Sequence, residues 1–171
     1  PGKSAGWQTI TLPFTPDSIY HAEKGSIAPF NSEVKGAKPF WLRELKAEGF
    51  TDVTSIQPHT AYLIAMPNNS QYLDEYNLNG TIVFEAKNVE FGITPDTLKA
   101  SVGPDFEFQP TYQKRDKAVG VYALNIDTRT YVDNVYTNGT AFTRNSEPVY
   151  TFEAYVKTLG GGRSSRTAFD I

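Results

Sequence analysis

Cysteine is absent from this chain of 171 residues, methionine occurs once, and there are only two histidines and two tryptophans. Without cysteine there is no disulfide, no zinc finger and no thiol nucleophile. Two widely separated histidines, His21 and His59, leave oxygen atoms as the remaining metal ligands, which points to calcium if to any ion. Asp133-Asn134 and the Asn138-Gly139 turn could supply such oxygens. No EF-hand spacing accompanies them, and Asx residues in turns more often bond their own backbone. No metal or cofactor is expected.

Long apolar runs are missing too. None approaches the roughly 18 residues of a membrane span, so no membrane insertion is expected. Charge of one sign forms no block: 16 basic and 19 acidic residues are dispersed along the chain for a net charge of −3. The densest basic stretch, Lys114-Arg115-Asp116-Lys117, is interrupted by its own acid, whereas a nucleic-acid partner calls for a continuous basic stripe. A Gly-x-Ser-x-Gly elbow is not found. Gly160-Gly161-Gly162-Arg163 lacks the spacing of a phosphate-binding loop. The opening residues Pro1-Gly2-Lys3-Ser4-Ala5-Gly6 are small and polar, unlike a signal peptide. An abrupt start of this kind suits a segment of a longer protein.

What the chain does have is aromatic and punctuating residues: 11 Phe, 10 Tyr, 13 Gly and 11 Pro. Aromatic and β-branched residues suit pleated, half-buried surfaces, and Gly and Pro separate short strands. In Trp7–Phe14, Ile10, Leu12 and Phe14 alternate with Thr9, Thr11 and Pro13, the period of a strand. Residues 17–38 read as a polar excursion with one short strand. Over Lys38–Gly49 two readings compete. Pro39 and Gly49 could open and close a helix, while the alternation of Phe40 and Leu42 with Trp41 and Arg43, running on into Phe50–Val53, favours a hairpin. Ala61–Met66 is apolar and short enough for a central strand, and 67–80 is a polar surface loop with room for one helical turn at Gln71–Tyr76. Further strands are expected at Thr81–Ala86 and Val89–Ile93, around Phe106 and Phe108, in a hairpin of Val119–Ile126 with Thr130–Asp133, and in a final hairpin of Val149–Thr158 with Arg166–Ile171. Residues 137–148 look like a turn. About ten short strands in one domain predict an all-β, antiparallel, jelly-roll-like β-sandwich with long polar loops.

Several of these segments carry a resemblance. Trp7-Gln8-Thr9-Ile10-Thr11-Leu12-Pro13-Phe14 resembles the opening of β-sandwich modules in surface-exposed proteins of gut Bacteroidetes, where they lie beside leucine-rich repeats or other surface domains. Ala61-Tyr62-Leu63-Ile64 after Pro58-His59-Thr60 is similar to a strand of that family, with Ala61 where the family often has Pro. Phe40–Leu45 with Phe50–Val53 resembles its second hairpin. Phe152-Glu153-Ala154-Tyr155-Val156, a Gly/Ser loop and Arg166–Ile171 resemble its last. The resemblance spans most of the chain. It implies an exported module, on the cell surface or secreted, and brings no catalytic residues with it. Asp17-Ser18-Ile19 and Asp96-Thr97-Leu98 also resemble the O-glycosylation pattern of that phylum.

Candidate chemistry is sparse. Nucleophilic catalysis needs a base in reach, and His59, in a Pro-His-Thr turn, and His21, near a strand end, both read as solvent-facing. Glycoside hydrolysis needs two carboxylates at a set separation, but Asp74, Glu75, Glu85 and Glu90 read as solvated strand faces and loops. Aromatic side chains are the better candidates, since a sugar's apolar face stacks on an aromatic ring and excludes water with it. Trp41, Tyr72, Tyr76, Tyr131 and Tyr136 are the residues that could form such a platform. The ordinary alternative puts Trp7 and Trp41 in the core and the tyrosines on sheet faces with their hydroxyls outward. The expected function is a non-catalytic structural or protein-interaction module of a bacterial cell-surface protein, whose partners are neighbouring domains of the same polypeptide or another surface protein. A carbohydrate-binding module, with glycan as ligand, is the alternative, and an enzyme ranks last.

Overall fold

The computed structural model describes residues 6–90, 92, 97–131, 134–144, 148–159 and 167–171. They form fifteen strands. None of the described residues lies in an α-helix, so no helix is long and apolar enough to cross a membrane.

The first sheet comprises β1 (Gln8–Thr11), β2 (Ser18–His21), β3 (Gly25–Pro29), β4 (Lys38–Lys46), β5 (Gly49–Asp52), β6 (Ala61–Ala65) and β7 (Ile82–Glu85). Its order is β1-β6-β4-β3-β2-β7, with β5 paired to β4. The second sheet comprises β8 (Ser101–Val102), β9 (Phe106–Pro110), β10 (Val121–Leu124), β13 (Ala141–Arg144), β14 (Ala154–Thr158) and β15 (Ala168–Asp170), in the order β15-β13-β10-β14-β9-β8. Between β10 and β13 the chain makes a separate hairpin, β11 (Arg129–Tyr131) with β12 (Asn134–Tyr136). All the pairings are antiparallel except β3 with β4, which overlap over three residues. That short overlap lets the 30–37 loop replace the long crossover that parallel strands ordinarily need.

Strand β6 explains the arrangement. Its five residues, Ala-Tyr-Leu-Ile-Ala, are all buried, and successive side chains point to opposite faces. Ala61, Leu63 and Ala65 enter a core shared with the second sheet: Phe106, Phe108, Tyr122, Phe142, Val156 and Phe169. Phe50 of β5 packs into that core, edge-on to Phe108 at 5.4 Å and stacked on Phe142 at 6.3 Å. Tyr62 and Ile64 point the other way, into a second core with Leu12, Ile27, Phe40, Leu42, Ile56 and Leu78. Each large aliphatic or aromatic side chain so buried stabilises the fold by about 1.5–3 kcal/mol. The curl of β3, β2 and β7 and the loops carrying Ile56 and Leu78 close this second core. The 67–80 loop is an Ω-type excursion whose ends meet where the Leu78 amide donates to the Pro67 carbonyl at 2.7 Å.

The alternation read in Trp7–Phe14 and the hairpin read at Lys38–Val53 are present: Ile10, Leu12 and Phe14 all face the second core, and β4 pairs with β5. Other expectations are corrected. Residues 17–38 hold a hairpin of two strands, β2 and β3, rather than one strand. An exception is Gln71–Tyr76, where the one helical turn for which there was room is closed by the Asn77 amide on the Leu73 carbonyl at 3.0 Å, with no longer helix. Val89 and Glu90 are not in a strand, and Phe91 and Ile93 lie outside the described residues. β10 does not pair with β11; it lies between β13 and β14. The stretch read as a turn at 137–148 contains β13. The final two strands do not form a hairpin, because β14 pairs with β9 and β10 while β15 pairs with β13. For β10 with β11 and β14 with β15 the cause is common. Adjacent apolar segments suggest local pairing, whereas a sandwich core forms when strands distant in sequence become neighbours.

Asn125 organises one end of the sandwich. It is 1 % exposed, and its Nδ2 donates to the carbonyls of Asp127 (2.9 Å) and Thr137 (2.6 Å), at the two feet of the β11–β12 hairpin. Its Oδ1 accepts from the amides of Thr140 and Ala141. The turn so held carries Gly139, whose carbonyl accepts from the Trp7 amide at 3.0 Å. Gly139 has φ +64°, and a Cβ there would stand 2.6 Å from the Trp7 nitrogen. Only glycine fits both constraints. Asn125→Ala would orphan several buried backbone groups and is expected to cost about 3 kcal/mol, lowering Tm by about 6–12 °C. Gly139→Ala should be comparably damaging. Gly36→Ala, at positive φ but with open space around it, should cost only about 1 kcal/mol. Thermal and urea unfolding of the three variants check this ranking.

Candidate functional site

The five aromatic residues singled out from the sequence fall into two pairs and one single. Trp41, on the β4 face that looks toward the second sheet, meets Tyr72 of the 67–80 loop with ring centroids 6.3 Å apart and planes at 56°. Tyr131 and Tyr136 are diagonal neighbours on the β11–β12 hairpin, 6.1 Å apart at 61°. Tyr76 is 48 % exposed on the 67–80 loop, outside both pairs. Neither pair is flat. Trp41 packs its ring partly against the inter-sheet core, and burial pushes the Tyr72 hydroxyl pKa upward. Tyr136 also borders an open depression with Asp105, Phe106, Phe169 and Asp170.

A more enclosed concavity lies elsewhere. A cleft of about 440 Å³ opens between β1 and the second sheet, within the range of small-ligand pockets. One wall is Trp7, Gln8 and Thr9 with Met66 and Asn68 just beyond β6; the other is Ala123–Ile126, Asn138 and the segment around Tyr150 and Glu153. The walls are stitched together at their base. The Ala154 amide donates to Thr9 Oγ1 at 3.0 Å, and the Thr11 amide donates to the Phe152 carbonyl at 2.7 Å. At the rim, Glu153 Oε2 accepts from the Tyr150 amide at 2.8 Å, while Lys114 Nζ lies 5.9 Å from the centre of the Tyr150 ring. Trp7 forms part of the floor, with the Arg43 guanidinium 4.9 Å from its ring centre.

Beside the cleft, Tyr112 is enclosed by His59 and Phe152. Its hydroxyl is 2.9 Å from His59 Nδ1, and Phe152 meets its ring edge-on at 5.6 Å. Both neighbours adopt positive φ, 64° at His59 and 68° at Phe152, which costs of order 1–3 kcal/mol for each such residue. Backbone pairing holds them there: the His59 amide donates to Leu12, the Lys99 amide to His59, and the Phe152 amide to Thr111. Burial pushes the Tyr112 pKa up to about 12, opposed by hydrogen bonding with the His59 backbone.

The two histidines are not simply solvent-facing. His59 is half-buried against Tyr112. His21 is 2 % exposed, with Nδ1 accepting from the amides of Glu23 and Lys24 and Nε2 facing the Asn79 carbonyl at 3.1 Å. Amides only donate and a carbonyl only accepts, so the ring is the neutral Nε2–H tautomer. It ties the β2–β3 turn to the end of the 67–80 loop, which the Lys24–Asp74 ion pair joins at 3.0 Å. Asn125, Glu153 and Tyr150 escaped the sequence reading. The one signal was Asn125 itself, an amide within the apolar run Val121–Ile126. Among the described residues no group of three or more His, Cys, Asp or Glu is arranged to hold a metal ion; Asp133 lies outside them.

No family model matches the chain, and neither a curated protein nor a solved structure does. The site therefore rests on its own geometry, and Tyr112 offers a direct probe of it. A tyrosine pKa raised in the folded state means that the native protein holds its proton more tightly than the unfolded chain. Stability is then unaffected below pH 10 and declines as pH rises from 10 toward 12. Burial raises the Tyr62 and Tyr155 pKa values in the same direction. Denaturant titrations at pH 9, 10, 11 and 12 should show this decline, and Tyr112→Phe should make it shallower.

Proposed function

We propose that this chain is a non-catalytic structural or protein-interaction module of an exported bacterial surface protein, in line with the sandwich modules that its sequence resembles. The reading is supported chiefly by exposed apolar side chains beside the turn that Asn125 anchors. The Trp7 amide bonds the Gly139 carbonyl and the Ile171 amide bonds the adjoining Thr140 carbonyl at 3.3 Å. The partners are neighbouring domains of that polypeptide or another surface protein. Beside that turn, Ile126 and Val135 are among the most exposed apolar side chains, as expected of a surface that meets a neighbour.

A photo-crosslinking amino acid placed at Ile126 or Val135 in the full-length protein, in its native cells, tests this reading. Crosslinks to the host polypeptide or to another surface protein are expected, as is antibody labelling of intact cells. Labelling only after lysis, or turnover of a glycan or ester substrate by the purified chain, would contradict it. A carbohydrate-binding module remains the second reading, and the mixed polar and apolar lining of the inter-sheet cleft favours it more than either aromatic pair does.

A further inference from the structure

We infer that the cleft between β1 and the second sheet is a binding site for a neutral, polyhydroxylated ligand of the size of a short sugar chain. The inference rests on the carbohydrate-binding reading and gives it a site different from the aromatic residues that the sequence brought forward. Three properties of the cleft select the ligand class.

The first is charge. Among the described residues that line the cleft there is no Lys, Arg or His, and Glu153 is the one carboxylate; Lys114 stands outside this lining, 5.9 Å from the Tyr150 ring centre at the rim. Phosphates, nucleotides and acidic sugars would meet the Glu153 carboxylate with no counter-charge among those described lining residues. The second is the kind of polar group on offer. Gln8 and Asn138 belong to the lining, and an amide side chain carries a donor and an acceptor on one planar head. A hydroxyl both donates and accepts, so adjacent hydroxyls of a sugar ring match an amide or a carboxylate. Trp7, Met66 and Tyr150 supply apolar surface for the C–H face of the same ring. Tyr150 is 53 % exposed at the rim, where a ring can reach it without displacing the core.

The third property argues against a peptide in extended form. Such a ligand adds a strand to a free sheet edge, and the edge of β1 that faces the cleft is already engaged. The Trp7 amide goes to Gly139, the Thr11 amide to Phe152, and Thr9 Oγ1 takes the Ala154 amide. What remains for a ligand is side-chain chemistry, which is how sugars are read. Asn125 in the wall has both ends of its amide occupied, so it shapes the cleft and recognition falls to the rim.

The test uses the chain with uniform ¹⁵N labelling and probes of known structure: glucose, xylose, mannose and N-acetylglucosamine with their linear tetramers, galacturonate tetramer as the anionic control, and an unstructured Ser/Val-rich decapeptide. Neutral tetramers are expected to shift the Trp7 indole N–H and the side-chain amide signals of Gln8 and Asn138, with the anion and the peptide silent. Tyr150→Ala should weaken binding roughly tenfold with Tm unchanged, and Glu153→Gln, which keeps an acceptor for the Tyr150 amide, should weaken it several-fold. Tyr72→Ala, away from the cleft, should leave it intact. Binding that disappears with Tyr72→Ala and survives Tyr150→Ala would overturn the cleft while sparing the carbohydrate reading. Binding of the peptide or the anion at the cleft would overturn the ligand class. No shift with any neutral sugar at about 10 mM, a concentration that reveals even millimolar affinity, would overturn both.

Discussion

The first sheet is apolar on both of its faces, and most of the structure answers that requirement. A strand such as β6, buried along its whole length, needs a layer on each side, because a half-covered sheet would leave one row of large side chains in water. The second sheet covers one side with a cluster of phenylalanines. Among the described residues no third sheet covers the other. The first sheet curls through β3, β2 and β7, and the loops bearing Ile56 and Leu78 are drawn over the remaining surface. The polar length of 67–80 is thus structural as well as exposed. One leucine anchors it, and Asn69 and Asn77 bond it internally.

Polar groups inside the fold are placed where strands from different parts of the chain must meet. Asn125 gathers the feet of a hairpin and the turn before β13. His21 gathers a strand turn and a loop end, and Gly80 next to Asn79 leaves no room for a Cβ against the imidazole. A buried polar side chain is costly unless each of its atoms is matched, and both of these residues are matched on both ends. They specify register and loop position where apolar packing, which tolerates sliding, would not.

The cleft is a by-product of the same stitching. β1 is hydrogen-bonded to β6 along one edge and to the 139 and 152–154 segments along the other. It spans the seam between the sheets and leaves a concavity beside it, lined by whatever side chains the seam presents. Among the described residues those are amides, one carboxylate and aromatic edges. Strained backbone at His59 and Phe152 lies at the same seam, fixed by pairing on either side.

Residue patterning alone determined the class of fold and several of its elements. Alternation in Trp7–Phe14, the apolar run Ala61–Met66 and the Phe40–Val53 hairpin are local properties, governed by the two-residue period of a strand and the residues that interrupt it. Absence of cysteine and of a basic block was equally local. Pairing of β10 with β13 and β14, the separation of β14 from β15, and the strand hidden in 137–148 could be settled only by tertiary structure, since a strand does not encode its neighbour when both are short and apolar. The same applies to function. Trp41, Tyr72, Tyr76, Tyr131 and Tyr136 stood out because aromatic residues are conspicuous in polar sequence, yet a site depends on which side chains converge. Only the folded chain brings Gln8, Asn68, Asn138 and Glu153, from four separate segments, around one cleft.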